Sequence, residues 1–297
     1  MRAIVCLVSG LMLLLWLPRV MAQGVALTTL EKIREYRAIY VGHREASVPF
    51  SYILGDEPVG YSIDICNHIV DAIKEAVDDP AIRVVKVPVT SSSRFLMLQA
   101  GTIDIECGST TNTRIRQQQV AFGLTTFVSG VKAVVRKESP IMSIADMDGK
   151  VVVTTAGTTT ERIVRSILNT RKLSARSKAA RTHPDSLAMV VASQADAFVV
   201  DEALLAGLVA SSPDGSKLRF LDDNFGFEPY AIVFRRDDPE LKKIVDTALR
   251  KMMSSGELER LYNKWFMSEI PPKGVNLQIP MSNLLKGLIQ NPNDEGN

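Results

Sequence analysis

The chain has 297 residues, of which 23% are charged, and a formal net charge of +2 at neutral pH. This balance excludes the basic footprint with which proteins bind nucleic acid or an anionic membrane surface. The length exceeds what one hydrophobic core usually accommodates, so we expect two lobes.

The N-terminal segment, residues 1 to 22, has the pattern of a secretory signal peptide. Arg2 precedes an apolar run over residues 3 to 17, and small residues follow at Val20 and Ala22, where a signal peptidase would cut. A membrane anchor is the alternative, but the run is shorter than the roughly 20 residues that span a bilayer. We therefore expect an exported mature chain. Its net charge is close to zero once the two arginines of the signal are removed.

The chain contains three cysteines, and we expect Cys6 to leave with the signal peptide. Cys66 and Cys107 remain, and two cysteines in an oxidising compartment can form a disulfide. Two buried thiols are the alternative that the sequence leaves open.

The first half of the mature chain alternates strands with helices. The segment "AIYVGH" (38 to 43) predicts a strand. Residues 61 to 77 carry Ile65, Ile69 and Ile73 at spacings of four, which is typical of an amphipathic helix. Three further segments predict a strand, a short helix and a strand, namely "IRVVKVPV", "SSRFLMLQAG" and "TIDIEC".

The same alternation starts again in the second half. Strands are predicted at "GKVVVTTAG", near 176 to 181 and at "DAFVV", with helices at "TTTERIVRSIL", "PDSLAMVVAS" and "EALLAGLVA". A last strand, "YAIVFRR", precedes two helices that are broken around Gly256, and the tail from Ile270 is predicted to be mostly extended. Repeated βα units predict an α/β fold with two Rossmann-like lobes.

No linker rich in proline, glycine or serine separates the two lobes. We therefore expect strands themselves to cross between them, at 125 to 136 and again at 230 to 235. The predicted organisation is a first lobe of residues 23 to 129 plus 235 to 297, and a second lobe of residues 130 to 234, with a cleft between them.

Motifs of enzymes are missing from the sequence. It has no G-x-S-x-G, G-x-x-x-x-G-K, G-x-G-x-x-G or C-x-x-C, and its histidines, His43, His68 and His183, are scattered. We expect neither a metal site nor a catalytic nucleophile. His68 is predicted to lie at the surface or its boundary, and His43 either to support a site or to pack.

Two polar segments follow predicted strands. The first, "ECGSTTNTRIRQQQVAF" (106 to 122), places hydroxyls and arginines at the carboxyl end of a strand, where open α/β lobes bind ligands. These donors suit a carboxylate. In the second, "AGTTTER", Thr158 and Glu161 have the spacing of a capping box at the start of a helix, and such an end attracts anions.

These segments, together with several others, resemble those of a known family. The periplasmic glutamate/aspartate-binding proteins of ABC importers, which have the type II periplasmic binding protein fold, are similar to this chain over nearly its whole mature length. The segments that carry the resemblance are "GHREASVPFSY", "GYSIDIC", "TSSSR", "ECGSTTNTRIRQQQVAF", "AGTTTE", "HPDS", "FVVDEALLAG" and "GELERLYNKWF".

The resemblance implies a site for each charged group of an amino-acid ligand. Arg116 would bind the α-carboxylate, helped by Ser109, Thr111 and Thr159, and Asp201 would pair with the α-ammonium. Residues implied around the side-chain carboxylate are Arg44, Ser91, Arg94 and His183. A dicarboxylic amino acid needs cations at both ends of the site and an anion between them. Arg114 does not fit the family motif and is expected to face solvent.

The chain departs from the family pattern at two places. Pro184 follows the histidine where the family often has glycine, and "GLTTF" (123 to 127) replaces a more polar segment. Proline suits the first turn of a helix, so Pro184 is expected only to stiffen the loop of His183. The second change bears on the hinge rather than the pocket.

The resulting hypothesis is a periplasmic binding protein without catalysis or cofactor. It would be a monomer that captures L-glutamate and L-aspartate and delivers them to an inner-membrane ABC permease. One alternative is an exported enzyme on the same fold, since the wider family includes cyclohexadienyl dehydratases. A ligand-sensing module is another, but no kinase, transmembrane or effector segment accompanies the lobes.

Overall fold

A computed structural model of the chain describes residues 27–297. The predicted signal peptide and its cleavage site lie outside these residues. Within the described part, no helix combines the length and the apolar character that crossing a membrane requires.

Residues 27–297 form sixteen strands, ten α-helices and two short 3-10 helices. The strands are β1 (Ala38–His43), β2 (Ala46–Ser47), β3 (Ser51–Leu54), β4 (Glu57–Val59), β5 (Arg83–Pro88), β6 (Ile105–Cys107), β7 (Val120–Phe122), β8 (Phe127–Arg136), β9 (Val151–Thr155), β10 (Arg176–Ala180), β11 (Ala197–Asp201), β12 (Leu218–Phe220), β13 (Phe227–Tyr230), β14 (Val233–Arg235), β15 (Glu269–Ile270) and β16 (Val275–Asn276).

The helices follow the same chain order. They are α1 (Thr29–Tyr36), α2 (Tyr61–Ala76), α3 (Arg94–Gln99), α4 (Arg114–Gln117), α5 (Thr159–Thr170), α6 (His183–Val191), α7 (Glu202–Ser211), α8 (Pro239–Ser254), α9 (Glu257–Phe266) and α10 (Asn283–Gln290), with 3-10 turns at Ile144–Met147 and Gly215–Lys217.

The first lobe is built on a sheet of five strands in the order β5-β1-β6-β14-β7. β1 lies parallel to β5 and β6, whereas β14 runs antiparallel to β6 and β7. α2 packs against α8 and α9. It buries Ile65, Ile69 and Ile73, as their spacing predicted.

A disulfide joins Cys66 of α2 to Cys107 at the end of β6, with the two Cα atoms 6.1 Å apart. Of the two alternatives that the sequence left open, the bonded one is therefore correct. Next to this bond, the Ser62 hydroxyl donates a hydrogen bond of 2.8 Å to the Gly108 carbonyl. α2 is thus fixed to the start of the polar turn that follows β6.

The second lobe is built on a six-stranded sheet with the path β10-β9-β11-β8-β12, and β13 pairs with β8 beside this path. β9 is parallel to β10 and β11, and it is buried along its whole length. α5 and α6 pack against it. A strand that is covered on both faces can consist of consecutive apolar residues, which agrees with the run "VVV" from which this strand was predicted.

Two paired strands connect the lobes. Residues 127 to 130 of β8 pair with β13 in antiparallel register, from Phe127 opposite Tyr230 to Gly130 opposite Phe227. The first crossing lies inside the predicted range of 125 to 136. The second lies at β13 rather than at 230 to 235, because β14 already pairs with β6 and β7 in the first sheet. The lobe boundaries given above stay a prediction.

The tail from Ile270 is not mostly extended, so that expectation is wrong. It contains the short pair β15 and β16 and then the helix α10. The Ser282 hydroxyl caps α10 by accepting from the Leu285 amide at 3.2 Å, and Leu285 is buried. The apolar residues of "NLLKGLIQ" therefore favour a helix that packs on the first lobe, against α8.

Candidate functional site

The structure gathers the predicted site residues at the junction of the lobes, where each of the nine is at most 8% exposed. A small cavity of about 10 Å³ lies among them. The residues that line it are Ser91, Arg94, Ser109, Thr111, Arg116, Thr158, Thr159, His183, Asp201 and Leu204. Arg44 does not line the cavity. It is buried close enough to Arg94 for the Arg94 charge to contribute to lowering the pKa of Arg44.

Arg116 connects the two lobes at one end of the cavity. Its guanidinium donates 2.9 Å to the Thr111 carbonyl of the first lobe and 3.1 Å to the Gly157 carbonyl of the second. The Thr113 hydroxyl accepts from the Arg116 amide at 3.1 Å and fixes the start of α4. Burial, followed by the nearby charge of Arg94, lowers the pKa of Arg116 to about 9. An anion at this position would relieve both effects. Arg114 is exposed, as expected.

The second lobe contributes the start of α5, although not by the predicted capping box. Thr158 is the N-cap residue, but its hydroxyl donates 2.6 Å to the Thr155 carbonyl and accepts from no backbone amide of the helix. Glu161 accepts from the Gly157 amide at 3.4 Å and pairs with Arg165. The predicted box is therefore wrong. The Thr159 hydroxyl faces the Thr111 hydroxyl at 3.4 Å across the cavity.

Arg94 lines the same cavity. Its guanidinium donates to the Thr110 hydroxyl, which in turn donates 2.6 Å to Glu106. Burial lowers the pKa of Arg94, and burial together with the Arg94 charge lowers the pKa of Arg44 to about 10. Glu106, which is fully buried, is the carboxylate that opposes both cations.

His183 lies at the first position of α6 and contacts Thr155, with 2.8 Å between Nδ1 and the hydroxyl oxygen. Burial, followed by the charges of Arg44 and Arg94, holds the pKa of His183 well below its usual range. The imidazole is therefore neutral at pH 7. A neutral ring can accept from one partner and donate to another. His43 is also buried, with its Nδ1 3.2 Å from the Arg44 carbonyl, whereas His68 is exposed and lies 3.1 Å from Glu257.

Asp201 ends β11 and accepts a hydrogen bond from the Tyr230 hydroxyl. Burial, followed by the negative charge of Glu228, raises the pKa of Asp201 to about 8. Glu228 itself accepts from the Thr159 hydroxyl at 2.6 Å, and burial raises its pKa as well. Two buried carboxylates that disfavour each other's charge form a place where a cation is stabilised.

Four buried polar atoms of the cavity-lining residues have no hydrogen-bond partner within residues 27–297, namely Ser91 Oγ, Arg94 Nε, Ser109 Oγ and Asp201 Oδ1. Arg44 Nη1 and Glu106 Oε1, which do not line the cavity, also lack a partner there. Buried polar atoms are normally paired, so their concentration in one place indicates a polar ligand. Of the four cavity-lining atoms, Arg94 Nε is a cationic donor and Asp201 Oδ1 is a carboxylate acceptor. The ligand therefore needs both anionic and donor groups.

Residues 39–268 match bacterial extracellular solute-binding proteins, family 3, which is most of the described chain. The chain belongs to this family.

Two curated relatives of this solute-binding protein are similar over most of their length. It is 40% identical to the glutamate/aspartate import solute-binding protein of Escherichia coli K12 over 275 residues, which is 92% of this chain and 91% of the relative. It is 42% identical to the L-glutamate/L-aspartate-binding protein of Pseudomonas aeruginosa over 270 residues, 90% of this chain and 89% of the relative. Both are binding proteins rather than enzymes.

A solved structure supports the same fold. The P235GK mutant of ArgBP from T. maritima has a TM-score of 0.70 and 25% identity, and the alignment covers 80% of this chain and 98% of that one. The predicted type II periplasmic binding protein fold and the resemblance to the family are thus confirmed.

Three site residues of this solute-binding protein were missed in the sequence, namely Glu106, Glu228 and Tyr230. Two of them had a weak signal in the sequence. Glu106 is the charged centre of an otherwise apolar three-residue strand, and Glu228 stands between aromatic residues in "FGFEPY". Across residues 27–297, no group of three or more histidine, cysteine or acidic side chains has the arrangement of a metal site.

Proposed function

We propose that this chain is a periplasmic solute-binding protein that captures L-glutamate and L-aspartate between its lobes and delivers them to an ABC permease of the inner membrane. One observation carries the proposal: two buried arginines and a buried aspartate line one cavity, and Arg94 Nε and Asp201 Oδ1 have no partner in the described chain. The relatives named above, whose names specify glutamate and aspartate, support the same ligands.

The α-amino and α-carboxyl groups of the ligand would be bound at the Arg116 end. Arg116 would donate to the carboxylate, and the hydroxyls of Ser109, Thr111 and Thr159 would add neutral donors. Asp201 would accept from the ammonium. A cation there opposes the burial that raises the pKa of Asp201 to about 8, so the ligand would hold Asp201 in its charged form.

The side-chain carboxylate would be bound at the Arg94 end. Arg94 offers its unpartnered Nε, Ser91 offers an unpartnered hydroxyl, and neutral His183 offers a further donor. Arg44 lies behind Arg94 and would act through its charge rather than through contact. The side-chain carboxylate of glutamate or aspartate adds one negative charge beside these cations, whereas the neutral side-chain amide of glutamine adds none.

Binding would favour the closed arrangement of the lobes. Arg116 belongs to the first lobe and Asp201 to the second, so an amino acid held by both contacts the two lobes together. A ligand stabilises the conformation for which it has the higher affinity, and the permease would recognise that conformation. We propose a monomer for this cycle.

An exported enzyme of the cyclohexadienyl dehydratase type is less well supported. The two curated relatives are transport proteins. Arg94, backed by Arg44, also brings charge to the part of the cavity that a cyclohexadienyl ring would occupy.

Calorimetric titration of protein freed of copurified ligand tests the proposal. We expect glutamate and aspartate to bind and prephenate neither to bind nor to be converted. Glutamine should bind more weakly than glutamate by about 2 to 5 kcal/mol, because its amide leaves a buried arginine without an anion. Turnover of prephenate, or absence of binding by both dicarboxylates, would exclude the proposed function.

Two arginine variants assign the ends of the site. Arg94→Met should weaken glutamate binding much more than glutamine binding, because only glutamate has a side-chain carboxylate. Arg116→Met should weaken both equally, because both share the α-carboxylate. Equal losses for the two ligands in Arg94→Met would remove Arg94 from the side-chain pocket.

A further inference from the structure

The last seven residues of the described chain, 291 to 297, lie beyond the part that matches the family, which ends at residue 268. They follow α10 and run along the first lobe toward the hinge. We call residues 291 to 297 the strap. None of these seven residues lines the cavity.

The strap is bonded to the turn that carries Arg116. The Arg114 amide donates 3.2 Å to the Asn297 carbonyl, and the Asn297 amide donates 3.3 Å to the Asn112 carbonyl. The Asn112 side chain, which is fully buried, donates 2.8 Å to the Asp294 carbonyl. Asn112 directly follows Thr111, whose carbonyl accepts from Arg116. The strap therefore contacts the chain immediately after the cavity-lining threonine.

The same seven residues are bonded to both connections between the lobes. The Thr125 amide, two residues before β8, donates 3.0 Å to the Asn293 carbonyl. The Asn297 side chain donates 2.8 Å to the Phe227 carbonyl of β13. Lys242 of α8 pairs with Asp294 at 2.9 Å and ties the strap to the body of the first lobe.

The contact at Gly296 leaves no room for a side chain. A Cβ atom there would lie 2.7 Å from the Thr113 carbonyl carbon, 2.8 Å from the Arg114 nitrogen and 3.0 Å from Asn112 Oδ1. Two of these three atoms are backbone, so they cannot rotate away. Only glycine permits the strap to lie this close to the turn.

We propose that the strap is a positioning segment of the binding site, which holds the turn of residues 111 to 116 where Arg116 reaches the ligand. The helix of this turn, α4, has only four residues. The strap supplies an acceptor for the Arg114 amide and a donor for the Asn112 carbonyl. This inference rests on the proposed function only in taking Arg116 as a ligand-binding residue.

Gly296→Ala tests the strap, and Gly287→Ala is its matched control. Gly287 lies in α10, and a Cβ atom added there would meet no other atom within 4 Å, so alanine fits. Amide hydrogen exchange is measured at Arg114 and Thr125, whose acceptors belong to the strap, and glutamate affinity is measured by calorimetry. In Gly296→Ala we expect faster exchange at both amides and weaker glutamate binding, by about 5-fold or more. Gly287→Ala should change neither.

Faster exchange with unchanged affinity would overturn the proposal, because the strap would then be structural only. Unchanged exchange in Gly296→Ala would overturn it as well. A second variant, Asn112→Ala, changes the turn instead of the strap and removes the side-chain hydrogen bond to the Asp294 carbonyl. It should also give faster amide exchange and weaker glutamate binding. If wild-type protein bound neither glutamate nor aspartate, the proposed function would fail, and the exchange rates would still decide whether the strap holds the turn.

Discussion

The Thr159 hydroxyl donates a hydrogen bond of 2.6 Å to Glu228 Oε2, and so joins the first residue of α5 to the hinge strand β13. The same hydroxyl lies 3.4 Å from that of Thr111 in the first lobe. Both lobes and the hinge therefore meet at one threonine. Glu228 is 1% exposed, so its carboxylate depends on protein donors rather than on water.

Removal of this hydroxyl should destabilise the ligand-free protein. Thr159→Val keeps the shape of the side chain but leaves the Glu228 oxygen without its donor, which costs about 1 to 3 kcal/mol. Denaturant unfolding measures the loss. Thr170→Val, at the exposed end of the same helix, is the control and should change the free energy of unfolding by less than about 0.5 kcal/mol. Equal losses in the two variants would show that the bond to Glu228 contributes nothing specific.

Asp201→Asn should weaken glutamate binding by about 2 to 5 kcal/mol, because the ligand ammonium then lacks its buried partner charge. Tyr230→Phe is the comparison, since it removes the hydrogen bond to Asp201 but keeps the carboxylate. Its loss of affinity should be smaller. Calorimetry measures the glutamate affinity of both variants. Unchanged affinity in Asp201→Asn would mean that the ligand ammonium is bound elsewhere in the cavity.

The contribution of His183 to the stability of the ligand-free protein should fall as the pH drops below about 6.5, the pKa of histidine in an unfolded chain. Burial holds the pKa of His183 well below that value, so between the two pKa values the unfolded chain binds a proton that the folded protein does not. The stability that His183 contributes is therefore retained above about pH 6.5 and lost as the pH falls, whereas the raised pKa of Asp201 acts in the opposite direction. Between pH 7 and 5.5 this residue should account for about 1 kcal/mol.

His183→Gln separates this contribution from those of other titrating groups. Glutamine cannot take up the proton, so the variant should lose about 1 kcal/mol less than the wild type over the same pH interval. Unfolding free energies at the two pH values give the comparison. Parallel losses in wild type and variant would mean that His183 is not kept neutral by its surroundings.

The fold could be predicted from the sequence because its signals are local and repeated. Ile65, Ile69 and Ile73 mark one helix face, and the "VVV" of β9 marks a covered strand. The second hinge crossing lies earlier in the chain than predicted, because the choice between β13 and β14 depends on which distant strands each of them pairs with. The tail was misjudged because its prolines and polar residues surround an apolar helix, α10, that needs the first lobe to pack against.

The donors of the site could be predicted better than the groups that oppose their charge. Arginines and hydroxyls stand in motifs that the family shares, whereas Glu106 and Glu228 are single acids whose role depends on three-dimensional contacts. Glu106 opposes Arg94 and Arg44 only because β6 ends beside both. The prediction of a capping box was wrong for a similar reason. The Thr158 hydroxyl bonds back to Thr155, a choice that the spacing of Thr158 and Glu161 does not reveal.

Gly157→Ala should weaken the binding of every ligand by preventing full closure of the lobes. Gly157 belongs to the second lobe, and a Cβ atom there would lie 2.8 Å from the backbone carbon and oxygen of Ser91 in the first. Those atoms are fixed next to a cavity-lining side chain, so the lobes must separate to admit the methyl group. Since Arg116 donates to the Gly157 carbonyl at 3.1 Å, separation would also stretch that bond.

Gly149→Ala is the matched control for this closure. Gly157 has a φ of +78° and Gly149 a φ of +68°, so alanine strains the backbone at both positions, but a Cβ at Gly149 has nothing within 4 Å. Both variants should lose about 1 to 2 kcal/mol of stability from the left-handed conformation. Only Gly157→Ala should lose affinity, and by the same factor for glutamate and glutamine, because closure precedes any distinction between their side chains. Equal affinities in the two glycine variants would mean that the lobes bind ligand without the contact between Gly157 and Ser91.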